Sequence, residues 1–191
     1  MIWLVILVVG LVVLLQLPLQ AQIVALASLA LVAAYPFMKR ITWWPQAWLG
    51  FTFNFGALVG AATATHVTGA TVVLYLGLVY WTVAYDTIYA LQDREDDALV
   101  GVKSTARLFG DKVLTGVFVF HMTATALIFL GAYFAGAGRI GAILALAFLG
   151  HGVWQVSTLS KGREKFALDV FKSNVWAGAI ILAGLTLAAL L

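Results

Sequence analysis

The chain has 191 residues, of which 63% are hydrophobic and only 10% charged. A soluble domain of this length carries about a quarter charged residues, so too few charges are present to cover a water-soluble globule, and lipid must be the main solvent. The net charge of +3 does not mark a nucleic-acid binder, because the cations sit in short segments between apolar runs, and the lack of cysteine excludes disulfides and thiolate metal or redox sites.

Seven apolar stretches follow one another, near residues Ile2–Leu17, Ala21–Tyr35, Ala47–Thr65, Gly69–Tyr85, Val113–Ala135, Ile140–Ser157 and Asn174–Leu190. The first lacks the basic lead and cleavage pattern of a signal peptide and reads as a membrane helix. The second is the shortest and can extend toward Arg40. Backbone polar groups find no water in a bilayer, and runs this long without strict alternation are helices rather than barrel strands. The expected fold class is all-α: a polytopic membrane helix bundle of about seven transmembrane helices, with residues 1–191 forming a single membrane domain. Gly56 and Gly60 sit at the spacing of a close helix–helix contact.

The connections test this reading independently. Lys39 and Arg40 follow the second span. Arg94, Lys103, Arg107 and Lys112 follow the fourth. Lys161, Arg163, Lys165 and Lys172 follow the sixth. Ten of the eleven basic residues therefore fall in alternate loops, with Arg139 the exception. By the positive-inside rule these three loops and the amino terminus face the cytoplasm.

Five of the eight acidic residues lie between Asp86 and Asp97, where the fourth span ends. If the helix continues through this segment, Asp93 and Asp97 fall within roughly 20° of Asp86 around the axis, and Glu95 points the other way. Tyr89 lies near the same stripe. Three carboxylates on one stripe repel each other unless a cation joins them, and hard oxygen ligands of this kind suit Mg²⁺ completed by water and phosphate oxygens. The competing reading is a solvated acidic helix end. Asp86 favours the first, because it abuts the apolar span and ionisable residues at membrane depth are functional candidates by default.

Downstream, Gly101-Val-Lys-Ser-Thr105 offers the cation of Lys103 and the hydroxyls of Ser104 and Thr105, groups that suit a phosphate-bearing ligand, and Arg107 adds a second cation. It lacks the pattern of a P-loop. Upstream, Tyr35-Pro-Phe-Met-Lys-Arg40 places two cations beside a proline at a helix end, followed by Trp43, Trp44 and Trp48, which read as interface anchors. The planar fork of Arg40 suits either a diphosphate or an aromatic carboxylate.

Together these segments resemble the UbiA-type intramembrane prenyltransferases. Tyr35-Pro-x-x-Lys-Arg40 with Gln46 and Gly50 is similar to the signature of the 4-hydroxybenzoate branch. Tyr85-Asp-Thr-x-Tyr-Ala-x-x-Asp-x-x-Asp-Asp97 followed by Gly101-x-Lys-Ser-Thr105 is similar to the family's second aspartate-rich motif. The resemblance implies a nine-helix bundle around a cavity and a Mg²⁺-dependent transfer of a polyprenyl group from polyprenyl diphosphate to the ring of 4-hydroxybenzoate, a step of ubiquinone biosynthesis. It implies Asp93 and Asp97 as Mg²⁺–diphosphate ligands, with Asp86 as a ligand or its partner. Arg40 joins the three as a catalytic group. The implied substrate contacts are Lys39, Arg40, Lys103, Tyr89 and Asn54. The implied location is a bacterial inner membrane, with lipid as surroundings.

One departure stands out. The family carries an earlier motif of Asn and Asp residues at four-residue spacing, and nothing before Tyr35 matches it. Seven spans fit a chain without the family's first two helices, holding half of the metal site. Three alternatives follow: a non-catalytic fragment or partner subunit, a transferase with another aromatic acceptor, or a small cation transporter. The transporter needs several ionisable residues deep in the spans. Only His121 and His151 occur there, placed singly, and each reads as a packed, hydrogen-bonded residue.

Overall fold

The computed structural model describes residues 2–162 and 164–190. Arg163, one of the expected basic residues of the last loop, lies outside the described residues. The elements are helices in chain order: α1 (Ile2–Gln16), α2 (Leu19–Ile41), α3 (Pro45–Phe53), α4 (Phe55–Ala64), α5 (Gly69–Tyr89), α6 (Arg94–Leu99), α7 (Thr105–Phe109), α8 (Val113–Phe134), α9 (Gly138–Ser160), α10 (Ala167–Lys172) and α11 (Asn174–Leu190).

Six helical units are long and apolar enough to cross a membrane: α2, α3 with α4, α5, α7 with α8, α9, and α10 with α11. α1 has 15 residues and is a shorter apolar helix. The seven apolar stretches are thus seven helical segments, and the chain is an integral membrane protein. α2 runs through Pro36 to Ile41 rather than stopping at Tyr35. Proline removes one ladder hydrogen bond, which membrane helices tolerate within a packed bundle.

α5 and α8 form the centre of the bundle. Ile88, Val117, Phe120, Leu159 and Val170 build one buried cluster toward the basic end, and Ile128, Leu144, Phe148 and Ile181 another deeper along the helices. The helices approach closely because glycines stand at the crossings. A Cβ on Gly77 would meet the Ile128 backbone nitrogen at 2.9 Å, and one on Gly131 would meet the Leu74 backbone nitrogen at 2.7 Å. Backbone atoms cannot swing aside as side chains do. Gly131→Ala should therefore cost about 1–3 kcal/mol by overpacking, visible as a lowered Tm in detergent. Gly56 and Gly60, expected to make the close contact, have nothing within 4 Å of where a Cβ would stand. Their spacing is right for packing, but that face of α4 meets no neighbour among the described residues.

The loops carrying Lys39 and Arg40, Lys103 and Arg107, and Lys161, Lys165 and Lys172 share one end of the bundle. Backbone and side-chain bonds join Lys103 to Lys39 and Ile41, and Tyr89 stacks on Phe171. That arrangement is what alternate basic loops require.

Candidate active site

At the basic end, the segment after α6 lies across the end of α2. The Lys103 backbone N–H donates to the Lys39 carbonyl at 3.0 Å, and its ammonium donates to the Ile41 carbonyl at 3.1 Å. Two stretches 62 residues apart, each unusual for its cations, are thereby joined. Lys39 and Arg40 remain exposed. Asp86, half-buried on α5, lies within electrostatic reach of Lys39 and of the Tyr35 phenol on α2. Asp86, Lys39, Arg40 and Lys103 therefore occupy one neighbourhood where α2 and α5 leave the apolar layer.

The seat of this loop is built from buried polar groups. Gln46 of α3, 2% exposed, accepts the Thr105 backbone N–H at 3.0 Å. The Thr105 hydroxyl meets the Thr87 hydroxyl at 2.6 Å, and Thr87 donates in turn to the Val83 carbonyl at 2.6 Å. Ser104 caps α7 by accepting from the Arg107 N–H at 3.3 Å. One turn beyond Gln46, a Cβ on Gly50 would stand 2.9 Å from the Val79 carbonyl, so glycine lets α3 lie against α5. Ser104 and Thr105 were expected as phosphate donors. Both are buried and spent on holding the loop, which leaves Lys103 as its exposed-side cation. Arg107 donates to the Val102 and Asp97 carbonyls, the latter at 3.2 Å, and lies 5.4 Å from the Trp43 ring. Trp48 donates to the Leu31 carbonyl at 2.8 Å, and Trp44 packs edge-on against Phe109 and Phe120. The tryptophans stitch α2, α3 and α8 together as well as standing at the interface.

The acidic segment departs from the expected single stripe. α5 ends at Tyr89, residues 90–93 are turns, and α6 begins at Arg94. Short-range bonds close the end: the Leu91 N–H to the Ile88 carbonyl at 3.2 Å, and the Gln92 N–H and side-chain amide to the Tyr89 carbonyl at 3.1 Å. A helical projection through this segment therefore fails. Asp86 stays on α5, while Asp93 stands just before α6 and Asp97 within it, one turn apart and linked by the Asp97 N–H to the Asp93 carbonyl at 2.7 Å. Among the described residues no three or more carboxylates or imidazoles gather closely enough to hold a metal ion. That donor set does not cage an ion. A metal that takes one or two carboxylates and completes its shell with water and phosphate oxygens would need only a pair, and Asp93 and Asp97, one turn apart, are the pair that could hold it.

Two further expected contacts are placed differently. Tyr89 is partly exposed, and its ring lies 4.8 Å from that of Phe171 on α10. Asn54, at the break between α3 and α4, spends its amide on the Gly50 carbonyl at 2.8 Å, the Leu78 carbonyl at 3.2 Å and the Thr82 hydroxyl at 2.7 Å. It ties that break to α5, which is a packing role.

Residues 1–177 match the UbiA prenyltransferase family. The chain is 43% identical over 181 residues to the mitochondrial 4-hydroxybenzoate polyprenyltransferase of Arabidopsis thaliana, covering 93% of this chain and 44% of the relative. It is 37% identical to 4-hydroxybenzoate geranyltransferase 2 of Lithospermum erythrorhizon, covering 93% of this chain and 58% of that protein. The apo structure of a UbiA homolog from Aeropyrum pernix K1 superposes with a TM-score of 0.74 at 25% identity, over 91% of this chain and 66% of that one. The chain thus spans about half the length of the curated relatives it matches. With its helical order, its joined motifs and this match over most of its length, the chain belongs to the UbiA prenyltransferase family.

Proposed function

We propose that this chain carries the second aspartate-rich half of a site that transfers a polyprenyl group from polyprenyl diphosphate to the ring of 4-hydroxybenzoate. The observation that carries this reading is the docking of the Gly101–Lys103 loop on the end of α2 beside Asp86. It assembles cations and a carboxylate from three separate stretches at the mouth of a lipid-embedded bundle.

The chemistry follows from those groups. Breaking the allylic carbon–oxygen bond places negative charge on the departing diphosphate. Lys39, Arg40 and Lys103 offset that charge by position, and preorganised charges of this kind act most strongly where water is scarce. Asp93 and Asp97 would hold Mg²⁺ against the diphosphate oxygens. When bound, Mg²⁺ supplies further neutralisation of the leaving group. The electron-rich ring carbon ortho to the phenol hydroxyl then bonds to the allylic carbon, and loss of its proton restores aromaticity. The apolar helices keep water from the allylic cation and admit the long tail from lipid. The basic end faces the compartment that retains positive loops: the cytoplasm for a bacterial inner membrane, or the matrix for a mitochondrion, the location named for the Arabidopsis relative.

A second reading has its own support. Among the described residues Asp93 and Asp97 form only a pair, so the chain would act as a non-catalytic part that needs a partner polypeptide. One assay separates the two. The purified chain in lipid nanodiscs is given geranyl diphosphate, 4-hydroxybenzoate and Mg²⁺, and the 3-geranyl product is followed by mass spectrometry. Product from the chain alone rejects the partner reading. Product that appears only after adding the amino-terminal part of a homologous enzyme supports it. No product in either arm rejects the transferase assignment for these substrates.

A further inference from the structure

His121 and His151, single ionisable residues in the sequence of two different spans, come within electrostatic range of each other in the folded bundle. His121 of α8 is 1% exposed, and neither of its ring nitrogens has a hydrogen-bond partner. Its ring lies close to the Gln155 side chain, though outside hydrogen-bond geometry, and within electrostatic range of His151, both on α9. Gly152, between them, is glycine for a reason: a Cβ there would stand 2.9 Å from the His121 ring. His151 Nδ1 and Gln155 Oε1 are likewise buried and unpartnered. Four polar atoms from three neighbouring side chains are thus buried without a partner in the apolar layer, where no bulk water can serve them.

The surrounding bonds assign donors and acceptors. The Gln155 amide donates to the Val170 carbonyl at 3.0 Å and to the Ser173 hydroxyl oxygen at 3.1 Å. The Ser173 hydroxyl donates to the Val170 carbonyl at 2.6 Å. His151 Nε2, 3.0 Å from the same hydroxyl oxygen, is then a donor, which makes its Nδ1 an acceptor. Gln155 Oε1 is also an acceptor. Neutral His121 brings one donor and one acceptor. The cluster therefore holds three unmet acceptors and a single unmet donor. It lacks protons, and a water molecule brings two while accepting one.

We propose that His121, His151 and Gln155 enclose an internal water molecule that ties α8 to α9 and, through Ser173, to the α10 segment. The water accepts the His121 N–H and donates to His151 Nδ1 and Gln155 Oε1. Buried waters serve polar groups of this kind with two to four bonds each. The segment held this way carries Phe171, whose ring covers Tyr89 at 4.8 Å and Tyr85 at 5.8 Å, so the water braces the wall behind Tyr89. The site does not depend on the transferase reading.

Two measurements test it. A map of the chain in nanodiscs, at a resolution that shows ordered solvent, should contain one peak within about 2.7–3.2 Å of a His121 nitrogen, His151 Nδ1 and Gln155 Oε1. Direct pairing of His121 with Gln155 and no peak overturns the proposal, as does a peak with the anomalous signal of a metal. His121→Phe keeps the ring volume and removes the donor. A water site predicts a Tm lowered by about 4 °C or more, with part of it regained in His121→Asn. His121→Phe melting at or above the parent overturns it.

Discussion

Asp93→Asn and Asp97→Asn should each lower the turnover of geranyl diphosphate by about 10²–10³-fold, the scale on which a single preorganised charge-stabilising group acts. The assay belongs in whichever assembly of this chain forms product. Asparagine keeps the shape and removes the charge, so α6 should remain folded and circular dichroism unchanged. The Mg²⁺ concentration giving half-maximal rate should rise in both variants, and added Mg²⁺ should restore part of the loss. Asp97 deserves the closer watch because its backbone carbonyl also receives Arg107 at 3.2 Å. That bond survives the substitution, so a loss in Asp97→Asn reports on the carboxylate. Full turnover by either variant removes the α6 pair from the site.

The same acidic segment shows where residue patterns stop informing on geometry. Periodicity places Asp86, Asp93 and Asp97 on one stripe only if α5 continues, and nothing local in Tyr89-Ala-Leu-Gln-Asp93 forbids that. The break comes from tertiary demands. Ala90 is buried with Ala106 and Val113, and the chain must turn there to bring α7 back against α5. Pro36 leaves its helix unbroken, and the extension toward Arg40 that the sequence allowed is present in α2. The spans and their basic loops were legible, because both follow from the cost of polar groups in lipid. Lys39, Arg40 and Lys103 were legible as cations outside the apolar runs. Ser104 and Thr105 were not legible as loop supports, since a buried hydroxyl and a substrate-binding hydroxyl look alike until their partners are known. The two histidines fall in the same class, as each looks solitary until α8 meets α9.

Gln46→Leu carries the second large effect. Gln46 is 2% exposed and accepts the Thr105 N–H at 3.0 Å. Leucine has similar volume but no acceptor, so that buried N–H loses its partner at a cost of about 1–3 kcal/mol. The consequence reaches the candidate site because Thr105 follows Lys103 by two residues, and Lys103 is what joins this loop to the end of α2. If Gln46 supports the loop, the variant should show a lowered Tm together with a raised KM for the prenyl diphosphate, since a loosened Lys103 binds phosphate less well. Gln46→Glu separates packing from bonding. An ionised carboxylate still accepts the N–H, so it should hold the loop better than leucine despite the cost of burying its charge. A Gln46→Leu chain with parental Tm and KM would place the loop's support elsewhere, with the Thr87–Thr105 hydroxyl pair as the next contact to remove.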